Sequence, residues 1–368
     1  MRRLVYSQGA GVTRIDSPDS PDSPDPPDPE YARHMVAVEV VALAVLGAWL
    51  GFALVRARRW PGELLLDRDV ERGEPDRSDC GGTVVALVPA RDEAATLPET
   101  LPTLLRQSPP LAAVVLVDDG SSDDTVELAR SAAEAVGAAD RLVVVAAGEP
   151  ASGWSGKLHA LERGRREIGE RWGDDLEWIL VADADIAHRD GSVTALLDVA
   201  RRERRDLVSV MARLRTETFW ERLLVPPFVY FFHLLYPFRL VASRRSSVAA
   251  AAGGCMLVRR RTLERIGGFA TIRSALIDDV ALGRAVARAG GRLWLGLDAG
   301  IRSVRGYGSL GSIWRMVERS AFVQLRFRWS LLAVVLSILA LGLVAPALLT
   351  VAAGIAVASG ADLPAGLG

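Results

Sequence analysis

Apolar residues fall along this chain in short runs separated by stretches of helical spacing. Residues 83–88 read TVVALV, 113–117 AVVLV, 142–146 LVVVA and 178–182 WILVA. Each run is rich in Val and Leu and bounded by polar or turn-forming residues, the pattern of a strand buried on both faces. Between them, 97–107, 123–136 and 158–168 repeat apolar residues every three or four positions, and 280–289 does the same further on. Asp123 and Asp124 open the second of these, which suits the positive end of a helix. Strands alternating with helices predict an α/β fold around a mostly parallel sheet covered on both faces. Such sheets bind ligands beyond the carboxyl ends of their strands, and the polar motifs of this chain fall at those ends.

The pattern changes at the two ends of the chain. Residues 1–34, with Asp-Ser-Pro repeats over 16–30, are too polar to build a core and are expected to be disordered; Met35 is an alternative start. Residues 35–55 are apolar but for Glu39, a length that spans a hydrocarbon core of ~30 Å, so 35–56 is expected to be a transmembrane helix. Arg56, Arg58 and Arg59 follow at once, against Arg33 before it, which places the next domain on the cytoplasmic side. A linker, 57–81, leads to the α/β domain, 82–300. Residues 331–359 form a second apolar stretch, interrupted by Pro346, long for one membrane span and short for two. Residues 219–241 are rich in Phe, Leu, Tyr and Pro but carry Glu221, Arg222 and Arg239. They are expected to lie on a bilayer rather than cross it, with a buried core helix as the plainer alternative. Residues 301–330 are expected to form an interfacial helix region, and 360–368 a tail.

Composition narrows the chemistry. The net charge is −1, which excludes a chain held on nucleic acid by its overall charge. Cys80 and Cys255 form no CxxC pair, and with four histidines the carboxylates are left as the expected ligands of any metal. There is no Asn, and Lys157 is the only Lys; every other basic residue is Arg. An ammonium is a compact point charge that a planar guanidinium does not replace, so a lone Lys in an Arg-rich chain marks a site, unless it is a chance survival.

Four motifs carry candidate chemistry. Asp118-Asp119-Gly120-Ser121-Ser122 follows the second strand; it suits a tight turn, or carboxylates that accept hydrogen bonds from a base or ribose. Asp183-Ala184-Asp185 follows the fourth strand. If that end stays extended, the two carboxylates face the same way and form a hard oxygen site for Mg2+ or Mn2+. Gly153-Trp154-Ser155-Gly156-Lys157 precedes a helix; its glycines admit close approach of backbone to a ligand, and Lys157 can balance phosphate charge. Neither a Walker A loop nor a GxGxxG fingerprint is present. Asp278-Asp279 opens the helical run at 280, as a helix cap, as a general base, or with one Asp in each role.

Taken together, Val88-Pro89-Ala90-Arg91-Asp92-Glu93, Val117-Asp118-Asp119-Gly120-Ser121-Ser122, Asp183-Ala184-Asp185 and Ile277-Asp278-Asp279 resemble family 2 glycosyltransferases of the GT-A fold. GWSGKLHAL (153–161), ADADIAH (182–188), ERLLVPPFVYFFHLLYPF (221–238), AAGGCMLVRR (251–260) and ALIDDVALGRAV (275–286) are similar to the hopanoid-biosynthesis-associated members, akin to ceramide glucosyltransferases. The resemblance implies a membrane-bound inverting enzyme at the cytoplasmic membrane. It would move one sugar from a nucleotide-diphosphate donor, with a UDP-sugar the leading expectation, to a lipid acceptor. Pro89, Glu93, Asp118, Asp119, Lys157 and Asp183 would contact the donor. Asp183 and Asp185 would hold the metal, and Asp279, beside Asp278, would be the base. Where many family members carry Asn-Glu, this chain has Asp92-Glu93. The Gln-x-x-Arg-Trp motif of processive synthases is present only one residue too long, from Gln324 to Trp329, which favours transfer of a single sugar. The rival readings are a metal-dependent nucleotidyltransferase and a non-catalytic nucleotide-sugar-binding scaffold.

Overall fold

The computed structural model describes residues 84–324 and 328–340, with 66, 344 and 348. The expected disordered segment, N-terminal transmembrane helix and linker therefore lie outside the described residues, apart from Leu66, as do most of 331–359 and all of the tail. The chain divides into two compact units, residues 59–334 and residues 1–58 with 335–368. Of the latter, the described residues fall in and just beyond the last turns of the helix Trp329–Leu339.

The strands of the unit 59–334 are β1 (Val84–Ala90), β2 (Ala113–Asp118), β3 (Leu142–Ala146), β4 (Trp178–Ala182), β5 (Ile186–His188), β6 (Leu207–Arg213), β7 (Cys255–Arg259) and β8 (Leu293–Ser303). They form one sheet in the order β3-β2-β1-β4-β7-β6-β8-β5. The half made of β3, β2, β1 and β4 is parallel throughout. Beyond it β7 runs antiparallel to both β4 and β6, β6 and β8 are parallel, and β5 is antiparallel to β8. The helices are α1 (Leu97–Leu105), α2 (Thr125–Ala135), α3 (Gly156–Trp172), α4 (Ser192–Arg202), α5 (Phe219–Leu235), α6 (Phe238–Ala242), α7 (Arg260–Arg265), α8 (Asp278–Arg288), α9 (Leu310–Gln324) and α10 (Trp329–Leu339).

Alternate residues of each strand feed two cores, as the period of two demands. Val84, Ala86, Val88, Val114 and Leu116 pack with Leu97 and Leu101 of α1, Ala129 of α2 and Leu196 of α4. Val85, Leu87, Val115 and Val117 pack on the other face with Leu158 and Leu161 of α3 and Val286 of α8. Helix α3 sits close against this face because residue 164 is Gly. A Cβ there would lie 2.3 Å from Leu87 Cδ1 and 2.7 Å from Val117 Cγ2, so a larger residue would lift the helix off the sheet.

Three expectations change. The boundary placed at 300 falls inside β8, which continues to Ser303, and within 301–330 the helical residues are those of α9 and the start of α10. The strand expected over 83–88 runs on through Pro89 to Ala90. The alternative of a core helix over 219–241 is not met. Of α5 only Glu221 and Val225 are buried, while Phe219, Trp220, Leu223, Phe231 and Leu235 are exposed. Among the described residues one helical stretch, Phe219–Ala242, is long and apolar enough to cross a membrane. Its backbone leaves the helical region at Tyr236, and beyond it Phe238 and Val241 are buried against the α/β unit.

Candidate active site

The carboxyl ends of β1, β2, β4 and β6 open into a cleft of about 500 Å³. Pro89, Glu93, Asp119, Lys157, Asp183, Asp185 and Asp279 all line it. These are all but two of the residues singled out in the sequence. The exceptions are Asp118 and Asp278. Asp118 Oδ1 accepts a hydrogen bond from the Ser121 backbone N–H at 3.1 Å, which closes the turn after β2. Asp278 stands behind Lys157.

The loop after β1 is tied to the loop after β2. Asp92 has φ 53°, a left-handed conformation that Asp and Asn tolerate better than most residues. Its carboxylate accepts from Ser122 N at 2.8 Å and Ser122 Oγ at 3.0 Å. An Asn oxygen would accept the same two bonds, so the turn does not require the charge of Asp92. Asp119 is brought into the cleft by Gly156 at the start of α3: a Cβ on that residue would meet Asp119 Oδ2 at 2.4 Å. Burial pushes the Asp119 carboxyl up, against the opposing charge of Arg91 3.7 Å away.

Ser155 caps α3 by accepting the Leu158 N–H, and so fixes Lys157 in the first turn. Its Nζ lies 2.7 Å from Asp183 Oδ1 and 2.9 Å from Asp278 Oδ2. Withdrawal from water alone would lower the Lys157 pKa, but the two carboxylates outweigh it and hold the ammonium far above its ordinary value. Burial pushes the Asp183 carboxyl up, with Lys157 pulling the other way. A donor phosphate reaching for Lys157 therefore meets an ammonium already shared by two carboxylates.

Asp183 and Asp185 reach the cleft by a route the strand pattern does not reveal. β4 ends at Ala182, and Ile186 N donates to Asp183 O at 3.1 Å, so the chain turns through Ala184 and Asp185 instead of staying extended. Asp185 Oδ2 then accepts from Ser303 Oγ at 2.7 Å and lies 3.4 Å from Arg305 Nε. Arg305 also pairs with Glu93. It lines the cleft and bridges the loops after β1 and β4, and sequence reasoning passed over it because one Arg among so many carries no local signal.

Asp279 is in the first turn of α8. Its Oδ2 accepts from Gly253 N at 2.8 Å and its Oδ1 from Val280 N at 2.7 Å. Ile277 takes the capping position without a side-chain bond, so neither Asp is the cap. A helix start and two backbone donors favour the carboxylate, yet burial, with the Asp278 charge adding, wins and pushes the Asp279 pKa up to about 7. That value suits a group that takes and gives up a proton near neutrality. Each carboxylate oxygen keeps a free lone pair for a substrate proton.

The cleft is negative: Glu93, Asp119, Asp183, Asp185 and Asp279 face Arg91, Lys157 and Arg305. This surplus would repel a diphosphate unless a cation offsets it. Among the described residues no three His, Cys, Asp or Glu side chains form a ready metal cage. Asp183 and Asp185 fit the alternative, a magnesium-like ion held by one or two carboxylates whose other positions go to water and substrate phosphate.

Comparison with known proteins agrees with this architecture. The family model described as glycosyltransferase-like family 2 matches residues 82–331. The N-acetylglucosaminyl-diphospho-decaprenol L-rhamnosyltransferase of Mycobacterium tuberculosis is 31% identical over 146 residues, 35% of this chain and 46% of that protein. The chain thus spans about half the length of the curated relatives it matches. Among solved structures, the mannosyltransferase PcManGT from Pyrobaculum calidifontis, in complex with GDP-Man and Mn2+, superposes with a TM-score of 0.53 at 21% identity, over 87% of this chain and 92% of that one. At that identity the likeness establishes a shared fold.

Proposed function

The chain belongs to glycosyltransferase family 2, and on that premise we propose that it transfers one sugar from a nucleotide-diphosphate donor to a hydroxyl of a lipid acceptor, with inversion at the anomeric carbon. The observation that carries this reading is the pairing, in one cleft, of a carboxylate poised near neutrality, Asp279, with the charged cluster of Lys157, Asp183 and Asp185. The acceptor hydroxyl attacks the anomeric carbon and its proton passes to Asp279. The bond from that carbon to the diphosphate oxygen breaks, and the nucleoside diphosphate leaves. Asp183 and Asp185 would hold a divalent cation, Mg2+ or Mn2+, which when bound would neutralise charge developing on the leaving diphosphate. Glu93, Asp119 and Pro89 shape the nucleoside end of the cleft, and Asp118 holds the turn that presents Asp119. Lys157 holds Asp183 and Asp278 in place through its two ion pairs and contributes cationic charge on the side of the cleft assigned to the diphosphate.

A lipid acceptor is supported by the surroundings of the cleft. An apolar groove of about 830 Å³, walled by Val225, Val229, Tyr230, Phe238 and Leu297, shares Met211, Ala212 and Leu214 with it. Phe228 and Phe232 of α5 line the cleft itself. The decaprenol-linked acceptor named for the mycobacterial relative is of the same apolar class, as is a hopanoid, which the resemblance of the 153–161 and 275–286 segments favours. We place the enzyme at the cytoplasmic membrane with α5 lying along the bilayer surface.

The test is product analysis with a radiolabelled UDP-sugar, the full chain and extracted membrane lipids. Label should move into the lipid fraction with release of UDP, and EDTA should stop transfer until Mg2+ or Mn2+ is restored. Release of pyrophosphate would identify a nucleotidyltransferase instead, and donor binding without turnover in the presence of every lipid fraction would identify a scaffold.

A further inference from the structure

A second pocket lies at the other end of β6. The cleft takes Met211 and Ala212 from the carboxyl end of that strand. The second pocket, about 730 Å³, takes Arg205 from just ahead of its amino end. Five arginines line it: Arg205, Arg244, Arg284, Arg288 and Arg292. Ser243, Ser246 and Ser247 add hydroxyls, and no Asp or Glu is among the lining residues. The chain as a whole carries 44 basic and 45 acidic residues, so five of one sign with none of the other is segregation, not the average surface.

Structural duties account for only part of this charge. Arg205 donates to the carbonyls of Ala242 at 2.7 Å and Leu293 at 2.9 Å and pairs with Glu203. Arg284 reaches Tyr236 Oη at 3.4 Å, and Arg292 the Arg204 carbonyl at 3.5 Å. Arg244 and Arg288 have no hydrogen-bond or ion-pair partner among the described residues. The carboxyl end of α8 attracts cations and suits Arg288, but Arg205, Arg244 and Arg292 come from other segments and owe it nothing. Guanidinium groups form paired hydrogen bonds with phosphate oxygens, which an ammonium does not match. Val241 and Ala242 of α6 form part of the pocket wall, and Leu240 of the same short helix is exposed.

We propose that this pocket binds the phosphate group of an anionic ligand, carried either by the headgroup of a phospholipid beside α5 and α6 or by a soluble phosphate. It is separate from the donor cleft and does not depend on the reaction assigned there. The test uses the full chain in neutral dodecyl maltoside micelles, with tryptophan-fluorescence unfolding as the readout. Phosphatidylglycerol, phosphatidylcholine and inorganic phosphate are titrated separately. Phosphatidylglycerol or inorganic phosphate should raise the unfolding midpoint saturably, and phosphatidylcholine should do so more weakly. The Arg244→Ala/Arg288→Ala variant should lose at least tenfold in apparent affinity. Arg130→Ala/Arg171→Ala, which removes two exposed arginines elsewhere, should keep it. A response to phosphatidylglycerol but not to inorganic phosphate assigns the site to a headgroup, and a response to inorganic phosphate alone assigns it to a soluble ligand. No saturable response to either, or equal loss in both double variants, overturns the proposal.

Discussion

Asp279 owes its proposed role to a contest between opposing influences on one carboxyl. Burial and the neighbouring Asp278 charge raise its pKa to about 7, against two backbone donors and the more distant Lys157. As a base it must be ionised, so the transfer rate should climb with pH through about 7 and level off above it. Asp279→Asn should remove that limb and cost roughly 10²–10⁴-fold in turnover while donor binding persists. Asp278→Asn should cost less in turnover and lower the midpoint of the limb, because the raising influence of Asp278 on Asp279 is gone. If Asp278→Asn is the inactive variant and Asp279→Asn the mild one, the two roles must be exchanged. Lys157 lends itself to a separate test. Its Nζ serves Asp183 at 2.7 Å and Asp278 at 2.9 Å, a spacing set for a compact ammonium. Lys157→Arg should keep the fold and weaken donor affinity appreciably, since the larger planar group must displace one of the two carboxylates. Donor affinity equal to that of the parent chain would make the lone Lys a chance survival.

At the scale of elements, the segment after β8 and the start of α5 act together. Glu221 is wholly buried in the first turn of α5 and closes a capping box with Thr218. Its Oε2 accepts from Glu217 N and Thr218 N, each at 2.9 Å, and its Oε1 from Tyr307 N at 2.6 Å. Tyr307 is two residues from Arg305, which holds Glu93 and Asp185, so α5 is fastened to the cleft through a strap of chain. Glu221→Ala should leave three backbone donors without their acceptor, at ~1–3 kcal/mol for each that stays buried. It should therefore lower stability in urea melts and raise the donor KM as Arg305 loosens; Glu221→Gln should be milder in both. A loss of stability with an unchanged donor KM would mean that the strap does not reach the cleft. Little of this was visible in the sequence, where Glu221 reads as a polar break in an apolar stretch. The parallel half of the sheet was legible because β1 to β4 are unbroken apolar runs. β6 and β8 were not, since polar residues interrupt them: Ser209 bonds with the Ala252 backbone, and Asp298 with Arg189, partners dozens of residues away. The cleft acids were legible as motifs at strand ends and, for Asp279, at a helix start. The turn that carries Asp185 and the arginine that meets it were not, because both depend on β8, far along the chain.

For the molecule as a whole, the proposed placement at a membrane also implies a side for the cleft. Arg56, Arg58 and Arg59 follow the apolar stretch 35–55 and favour the cytoplasmic side, while the exposed apolar residues of α5 and α6 suit contact with a bilayer surface without selecting a side. A cysteine introduced near the cleft reports on this directly. Asp124 is exposed, starts α2 without a side-chain capping bond, and stands outside the proposed machinery, so Asp124→Cys should leave the fold intact. The native Cys255 is buried and will not react, and Cys80 can be replaced by Ala in the same chain. In intact cells the introduced thiol should react with a membrane-permeant maleimide and resist a charged, impermeant one, and should become open to both once the cells are lysed. Equal labelling by the impermeant reagent before lysis would put the cleft outside. In that case the arginines after residue 55 would not set the orientation, and the donor would have to be one supplied on the outer face, which excludes a soluble cytoplasmic nucleotide sugar.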